Sequence, residues 1–166
     1  MAESFREVQN FPRRRTAILL ALPPGAMLIV LVWQVVLGHP WGKDPMSNSS
    51  IIGWTVFLWL LYFRLLTVRL STQVRDGMLV VGMTGLPLRR RVPLSGVASV
   101  ETVTFDAERD YGGYGIRSIR NGKAYIAAGS SGVRVQLRAG DIMVVGSSRP
   151  DELAKAIRTA TAMVKK

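Results

Sequence analysis

Two apolar stretches near the front of the chain, Thr16 to Leu37 and Ile51 to Val68, restrict its fold more than any other feature. The first, TAILLALPPGAMLIVLVWQVVL, carries no charge and has the length of ~20 residues that a helix needs to cross a bilayer core. The second stays uncharged from Ile51 to Phe63. In lipid, peptide groups must be satisfied within the segment, so such runs cross as helices. The pair predicts a transmembrane α-helical hairpin, with spans at 16–37 and 51–68 and a short external loop at 38–50. Pro23, Pro24 and Gly25 predict a kink in the first span, because proline removes a donor and clashes with the preceding turn. Any of Ser47 to Ser50 suits the cap of the second helix. Arg64 falls near the end of its span, where its long stem reaches the headgroups. Trp33, Trp54, Trp59 and Tyr62 are interfacial anchors. No small-x-small cleavage site follows Leu37, so the first run reads as a retained anchor and not as a signal peptide.

Orientation follows from the flanks. Arg6, Arg13, Arg14 and Arg15 precede the hairpin, Arg64, Arg69 and Arg75 follow it, and the loop between holds one lysine and one aspartate. The positive-inside rule then puts a 1–15 tail and the C-terminal domain on the cytoplasmic side. The membrane expected on this reading is a plasma (inner) membrane, crossed twice. The formal charge of +11, from 22 basic and 11 acidic residues, reads first as this topology signal and second as a preference for an acidic partner. Nucleic acid is not expected, since Phe105, Tyr111, Tyr114 and Tyr125 do not form a basic, aromatic platform.

The chain has no cysteine and a single histidine, His39, in the external loop. Disulfides, thiolate metal sites, cysteine nucleophiles and a multi-histidine metal site within one copy are thereby excluded. The familiar catalytic triads lack their histidine on the cytoplasmic side. No cofactor motif is present, and the expectation is a protein that is not an enzyme and holds no cofactor.

From residue 69 to 166 the pattern changes to short strands with turn punctuation. LSTQVRDGMLVVG is a hairpin with Asp76-Gly77 at a tight primed turn. LPLRRRVPL and GVASVETVTF follow, then the polar, glycine-rich DAERDYGGYG. GIRSIRNGKAYIA turns at Asn121-Gly122 and GVRVQLRAGDIMVVG at Ala139-Gly140. In the latter Val133, Val135 and Leu137 alternate with Arg134, Gln136 and Arg138. SSRPDELAKAIRTATAMVKK is an amphipathic helix, with Ser148 as cap, Pro150, Asp151 and Glu152 in the first turn, and Leu153, Ile157, Ala160 and Val164 as one stripe. Lys165 and Lys166 suit its negative end. The count is about seven antiparallel strands closed by one C-terminal helix, an α+β domain.

DYGGYGIR at 110–117, GVRVQLRAGD at 132–141 and VGSSRPDELAKAI at 145–157 carry a resemblance to bacterial membrane proteins in which a transmembrane hairpin precedes a pleckstrin-homology-like (PH-like) domain. The resemblance covers residues 68–164, with the hairpin in the customary place. It implies a bent sheet or barrel plugged by its last helix, and a binding or assembly module in place of a catalyst. Phosphoinositide-gripping PH domains use a basic loop between early strands, a role the resemblance offers to Arg89, Arg90 and Arg91.

Those three arginines are the densest basic cluster of the domain. They suit anionic headgroups, at ~1 kcal/mol for each basic residue near the surface, or an edge strand guarded by charge against aggregation. Asp106, Glu108 and Asp110 alternate as on a strand face, but their spacing fits no EF-hand loop, and ion pairing with arginines is the expectation. Tyr111 to Gly115 lacks a phosphate-loop pattern, so the glycines read as bend formers, while Tyr111 and Tyr114 join the arginines as candidate lipid or partner contacts. The expected function is a membrane-anchored, PH-like binding or scaffolding module. The alternative is a structural accessory subunit of a larger membrane complex. Membrane lipids, other membrane subunits or self-association are the expected partners.

Overall fold

The computed structural model describes residues 4–11 and 13–164, and it divides into two units: residues 12–67, and residues 4–11 together with 68–164. Lys165 and Lys166 lie outside the described residues.

The first unit is a helix pair. Helix α1 (Arg13–Leu31) passes through Pro23 and Pro24 without interruption, and the α-helical pattern changes only at a π-helical segment, Val32–Val36. There the Leu37 N–H donates to the Val32 carbonyl at 3.0 Å, a five-residue step. Ser47 caps helix α2 (Asn48–Leu66) by accepting from the Ser50 N–H. Gln34, the polar residue of the first span, ties down the connecting loop: its amide donates to the Met46 carbonyl (2.6 Å) and to Asn48 (3.1 Å), and its oxygen accepts from the Trp41 N–H. Ala17–Val36 and Asn48–Leu66 are long and apolar enough to cross a membrane, with mean hydropathies of 2.1 and 1.5 and only 11% of each apolar window buried. Apolar side chains left uncovered over such lengths favour a nonaqueous surround.

The second unit holds nine strands in two sheets, where the sequence pattern predicts about seven antiparallel strands in one bent sheet. The first sheet is a meander of β1 (Phe5–Asn10), β2 (Arg69–Arg75), β3 (Met78–Thr84) and β4 (Arg89–Pro93). Five strands make the second, in the order β5 (Val97–Thr104), β8 (Ser131–Leu137), β9 (Ile142–Gly146), β7 (Gly122–Ile126) and β6 (Gly115–Ile119). The β7–β9 pair is parallel, because the β8–β9 hairpin folds back so that β9 lies beside β7. A short helix α3 (Ala107–Tyr111) occupies the segment read as a glycine-rich connection, and helix α4 (Pro150–Val164) ends the described chain.

The segment read as an N-terminal tail contributes β1, which pairs antiparallel with β2 from Phe5↔Val74 to Asn10↔Arg69. The helix pair is therefore an insertion between two hydrogen-bonded neighbours, and a fragment beginning at Arg69 lacks a strand. Phe5 packs into the main core with Leu70, Val74, Leu79, Val81, Val133 and Val145, while Leu153, Ala154 and Ile157 of α4 cover it. Burial of each large side chain there contributes roughly 1.5–3 kcal/mol. Thr161 is buried where the predicted stripe has Ala160 and Val164; Val164 itself is 45% exposed.

Beside Phe5 lies a buried carboxylate. Glu7 is 7% exposed and accepts from the Ser147 hydroxyl (2.5 Å), the Ser148 N–H (2.9 Å), the Ser148 hydroxyl (2.5 Å) and the Gln9 amide (2.9 Å). Burial pushes its pKa up, but these donors outweigh burial and hold it below the usual carboxylate value of 4.5. Ser148 thus serves Glu7, and Ser147 accepts from the Arg149 N–H (3.0 Å) at the entry to α4.

The turns follow their residues. Asp76 and Gly77 both have positive φ (51° and 69°), as a primed hairpin turn requires. Gly122 answers a different need, because a Cβ there would fall onto the Ile142 carbonyl oxygen of the parallel neighbour. Gly122→Ala is expected to cost about 1–3 kcal/mol by forcing β7 and β9 apart. That corresponds to a melting temperature lower by about 5–15 °C, read by far-UV circular dichroism of the purified chain. A melting temperature within error of the parent would show that the parallel pair tolerates the methyl group.

Candidate functional site

β4 and β6 are edge strands of their respective sheets. Between them runs a groove of about 420 Å³, lined by Pro87, Leu88 and Arg89–Arg91 on one side and by Ile116, Lys123 and Tyr125 on the other. That volume lies within the range of ligand clefts, about 300–1,000 Å³.

Strand geometry divides the arginine run. Arg90 shares its side of β4 with the buried Val92, whereas Arg89 and Arg91 are exposed and point the other way. The Arg90 guanidinium donates to the Asp141 carboxylate (3.2 Å) and lies close enough to the Tyr125 hydroxyl to lower its pKa. Tyr125 is 3% exposed; burial raises its pKa above the usual 10.0, with Arg90 pulling the other way. Arg90 is thus already engaged within the domain. No ion pair holds Arg89, Arg91 or Lys123 among the described residues.

The main chain of β4 is also polarised. The Met83 N–H donates to the Leu88 carbonyl and the Leu94 N–H to the Gly77 carbonyl, each at 2.9 Å. Both bonds belong to the β3–β4 register, in which Val81 faces Arg90 and Leu79 faces Val92. Alternate residues of an antiparallel strand bond the same neighbour. Leu88, Arg90, Val92 and Leu94 therefore bond toward β3, while Arg89, Arg91 and Pro93 direct their backbone groups to the open edge. Pro93 has no N–H to leave unpaired there.

Tyr111 and Tyr114 do not join this groove. They pack on a second, smaller core with Phe105, Ala124, Ile126 and Val144, on the face of the five-stranded sheet opposite Tyr125. Tyr111 stacks edge-on against Phe105 at 5.4 Å. Its pKa is raised by burial and by Asp110, against the pull of Arg134. The candidate contact set of arginines and tyrosines is thus two surfaces.

The acidic segment is helical in place of extended. Asp106 caps α3 by accepting from the Glu108 and Arg109 N–H groups (3.0 and 3.2 Å), and Asp110 accepts from the Asp106 N–H (2.9 Å). These carboxylates satisfy backbone donors, where ion pairing with arginines was the sequence expectation. No group of three or more His, Asp or Glu is placed to hold a metal ion among the described residues. Ile116, Lys123 and Tyr125, on the far side of the groove, were not among the contacts expected from the sequence; they come from a separate hairpin, and only the strand order brings them opposite Arg89–Arg91.

No protein-family model matches the chain, and no curated protein or solved structure shows significant similarity to it.

Proposed function

We propose that this chain is a non-enzymatic, membrane-anchored binding or scaffolding module. In this reading the helix pair is a transmembrane hairpin in a bacterial inner membrane with both termini cytoplasmic, and the two-sheet unit is a PH-like domain at the cytoplasmic face. The observation that carries it is the basic groove at the β4 edge of a domain into which an apolar helix pair is inserted. Arg89, Arg91 and Lys123 offer donors and no acceptors, which suits them to holding an acidic partner. Anionic lipid headgroups and acidic protein segments both meet that description.

A reporter fused to the C-terminus is expected to give a cytoplasmic signal, because the arginine-rich flanks set the orientation. A periplasmic signal would overturn the placement. The module itself is tested by extracting the full chain in mild detergent: sub-stoichiometric, salt-sensitive association with partners is expected. A fixed-stoichiometry assembly that survives high salt would instead support the accessory-subunit reading. One feature favours that alternative. α2 carries an indentation of about 360 Å³ lined by Ser50, Gly53, Trp54 and Phe57, a shape into which a neighbouring transmembrane helix would pack.

A further inference from the structure

We propose that the open edge of β4 accepts an extended, acidic segment of a partner protein as an added strand, with the partner's carboxylates meeting Arg89 and Arg91. The proposal deepens the binding-module reading and rests on it.

Four sheet edges exist in the domain, and they are treated differently. On β5 the Val100 carbonyl accepts from Arg158 of α4 (2.8 Å), and on β1 the Arg6 carbonyl accepts from Arg149 (2.9 Å). Two edges are thus capped by arginines from the C-terminal helix and its entry. The β4 edge has no such cap: among the described residues, nothing bonds the outward N–H and C=O groups of Arg89 and Arg91. Those two residues present donor and acceptor together, at a spacing of two, which is the hydrogen-bond repeat of a β-ladder.

This pattern selects among acidic occupants. An ionised phosphodiester only accepts hydrogen bonds and would leave the Arg89 and Arg91 carbonyls facing its own negative charge. A polypeptide backbone supplies both an acceptor and a donor at each step. Acidic side chains on alternate residues of the incoming strand fall on the same face as Arg89 and Arg91, where cross-strand charge pairs form. Pro87 and Pro93 bracket the run, so the ladder is short, and the side chains carry much of the recognition.

The test uses the full chain in phosphatidylcholine nanodiscs and a fluorescein-labelled, end-capped peptide of sequence Thr-Glu-Val-Glu-Val-Glu-Thr. Fluorescence anisotropy is expected to show saturable binding that weakens at least tenfold in the R89A/R91A double variant, both positions being exposed. Replacing each Glu of the peptide by Gln is expected to weaken binding similarly. N-methylation of the peptide backbone supplies the decisive comparison: methylating one set of alternate nitrogens should abolish binding, and methylating the other set should leave it within about twofold. Equal effects of the two sets would overturn strand addition in favour of charge attraction alone. Absence of peptide binding up to about 1 mM would also overturn it. If phosphatidylglycerol vesicles then bind the chain through Arg89 and Arg91, the groove belongs to lipid and the module reading stands. If neither vesicles nor any co-purifying partner depends on these arginines, the module reading fails with it.

Discussion

Excising residues 12–67 and joining Phe11 to Val68 through a short hairpin loop is expected to yield a soluble, monomeric, folded domain, whereas residues 69–166 alone are expected not to fold. Asn10 and Arg69 already face each other across the β1–β2 ladder. A loop of about two to five residues, the usual hairpin length, therefore closes the gap without altering register. The shorter fragment loses the whole of β1. Phe5 leaves the core, the β2 edge is exposed along its length, and Ser147 and Ser148 lose the carboxylate they donate to. Removing Phe5 alone costs roughly 1.5–3 kcal/mol, and each hydrogen bond to a buried charge about 1.5–3 kcal/mol more. Domains of this size have only about 5–15 kcal/mol to lose. Dispersed amide proton resonances for the joined domain and collapsed ones for the fragment are the expected spectra. A well-dispersed spectrum from residues 69–166 would show that β1 is dispensable.

Glu7→Ala is expected to destabilise the domain by about 3–5 kcal/mol, among the larger effects of a single substitution, because buried donors are left without their acceptor. Glu7→Gln preserves shape but replaces one acceptor oxygen with a donor, and it should cost nearly as much. The pH dependence has a definite sign. The folded-state pKa of Glu7 lies below its unfolded value, so the carboxylate's contribution is complete above about pH 4.5 and is lost as pH falls through the lower, folded value. The parent should therefore lose more stability on acidification below pH 4.5 than Glu7→Gln does, measured as melting temperature against pH for the joined domain. Parallel curves for the two proteins would show that Glu7 is not the group that titrates.

Some of this architecture is legible in the residues. Asp76-Gly77 and Ala139-Gly140 lie in the hairpin turns of β2–β3 and β8–β9, whereas the β6–β7 turn falls one residue earlier than the pattern predicts, at Arg120-Asn121, with Gly122 opening β7. The apolar lengths of the two long helices are equally plain. β1 is not legible, for a specific reason: its buried face reads Phe5, Glu7, Gln9, while Val8 on the other face is 44% exposed. The polar alternation is inverted because a carboxylate, held by three donors from Ser147 and Ser148 far along the chain and a fourth from Gln9, occupies a core position. Nor does local pattern reveal that β9 lies parallel to β7, since that pairing depends on where the β8–β9 hairpin docks. The arginine run is visible as charge, but strand alternation alone turns Arg90 inward, and its partner Asp141 is 51 positions away. Asp106 gives the one local clue to α3 that spacing analysis overlooked, a capping residue directly before Ala-Glu-Arg.

The insertion of the helix pair between β1 and β2 also sets a timetable for biosynthesis. Ser147 follows Glu7 by 140 residues. At about 5–20 residues per second, that is a wait of roughly 7–28 s. Both apolar helices are made within that interval, before the serines that hold Glu7 exist. The domain closes only after Ser147 and helix α4 have emerged, long after β1 is made. A nascent chain stalled before Ser147 should carry a protease-sensitive β1 that becomes protected once Ser147 and helix α4 have emerged.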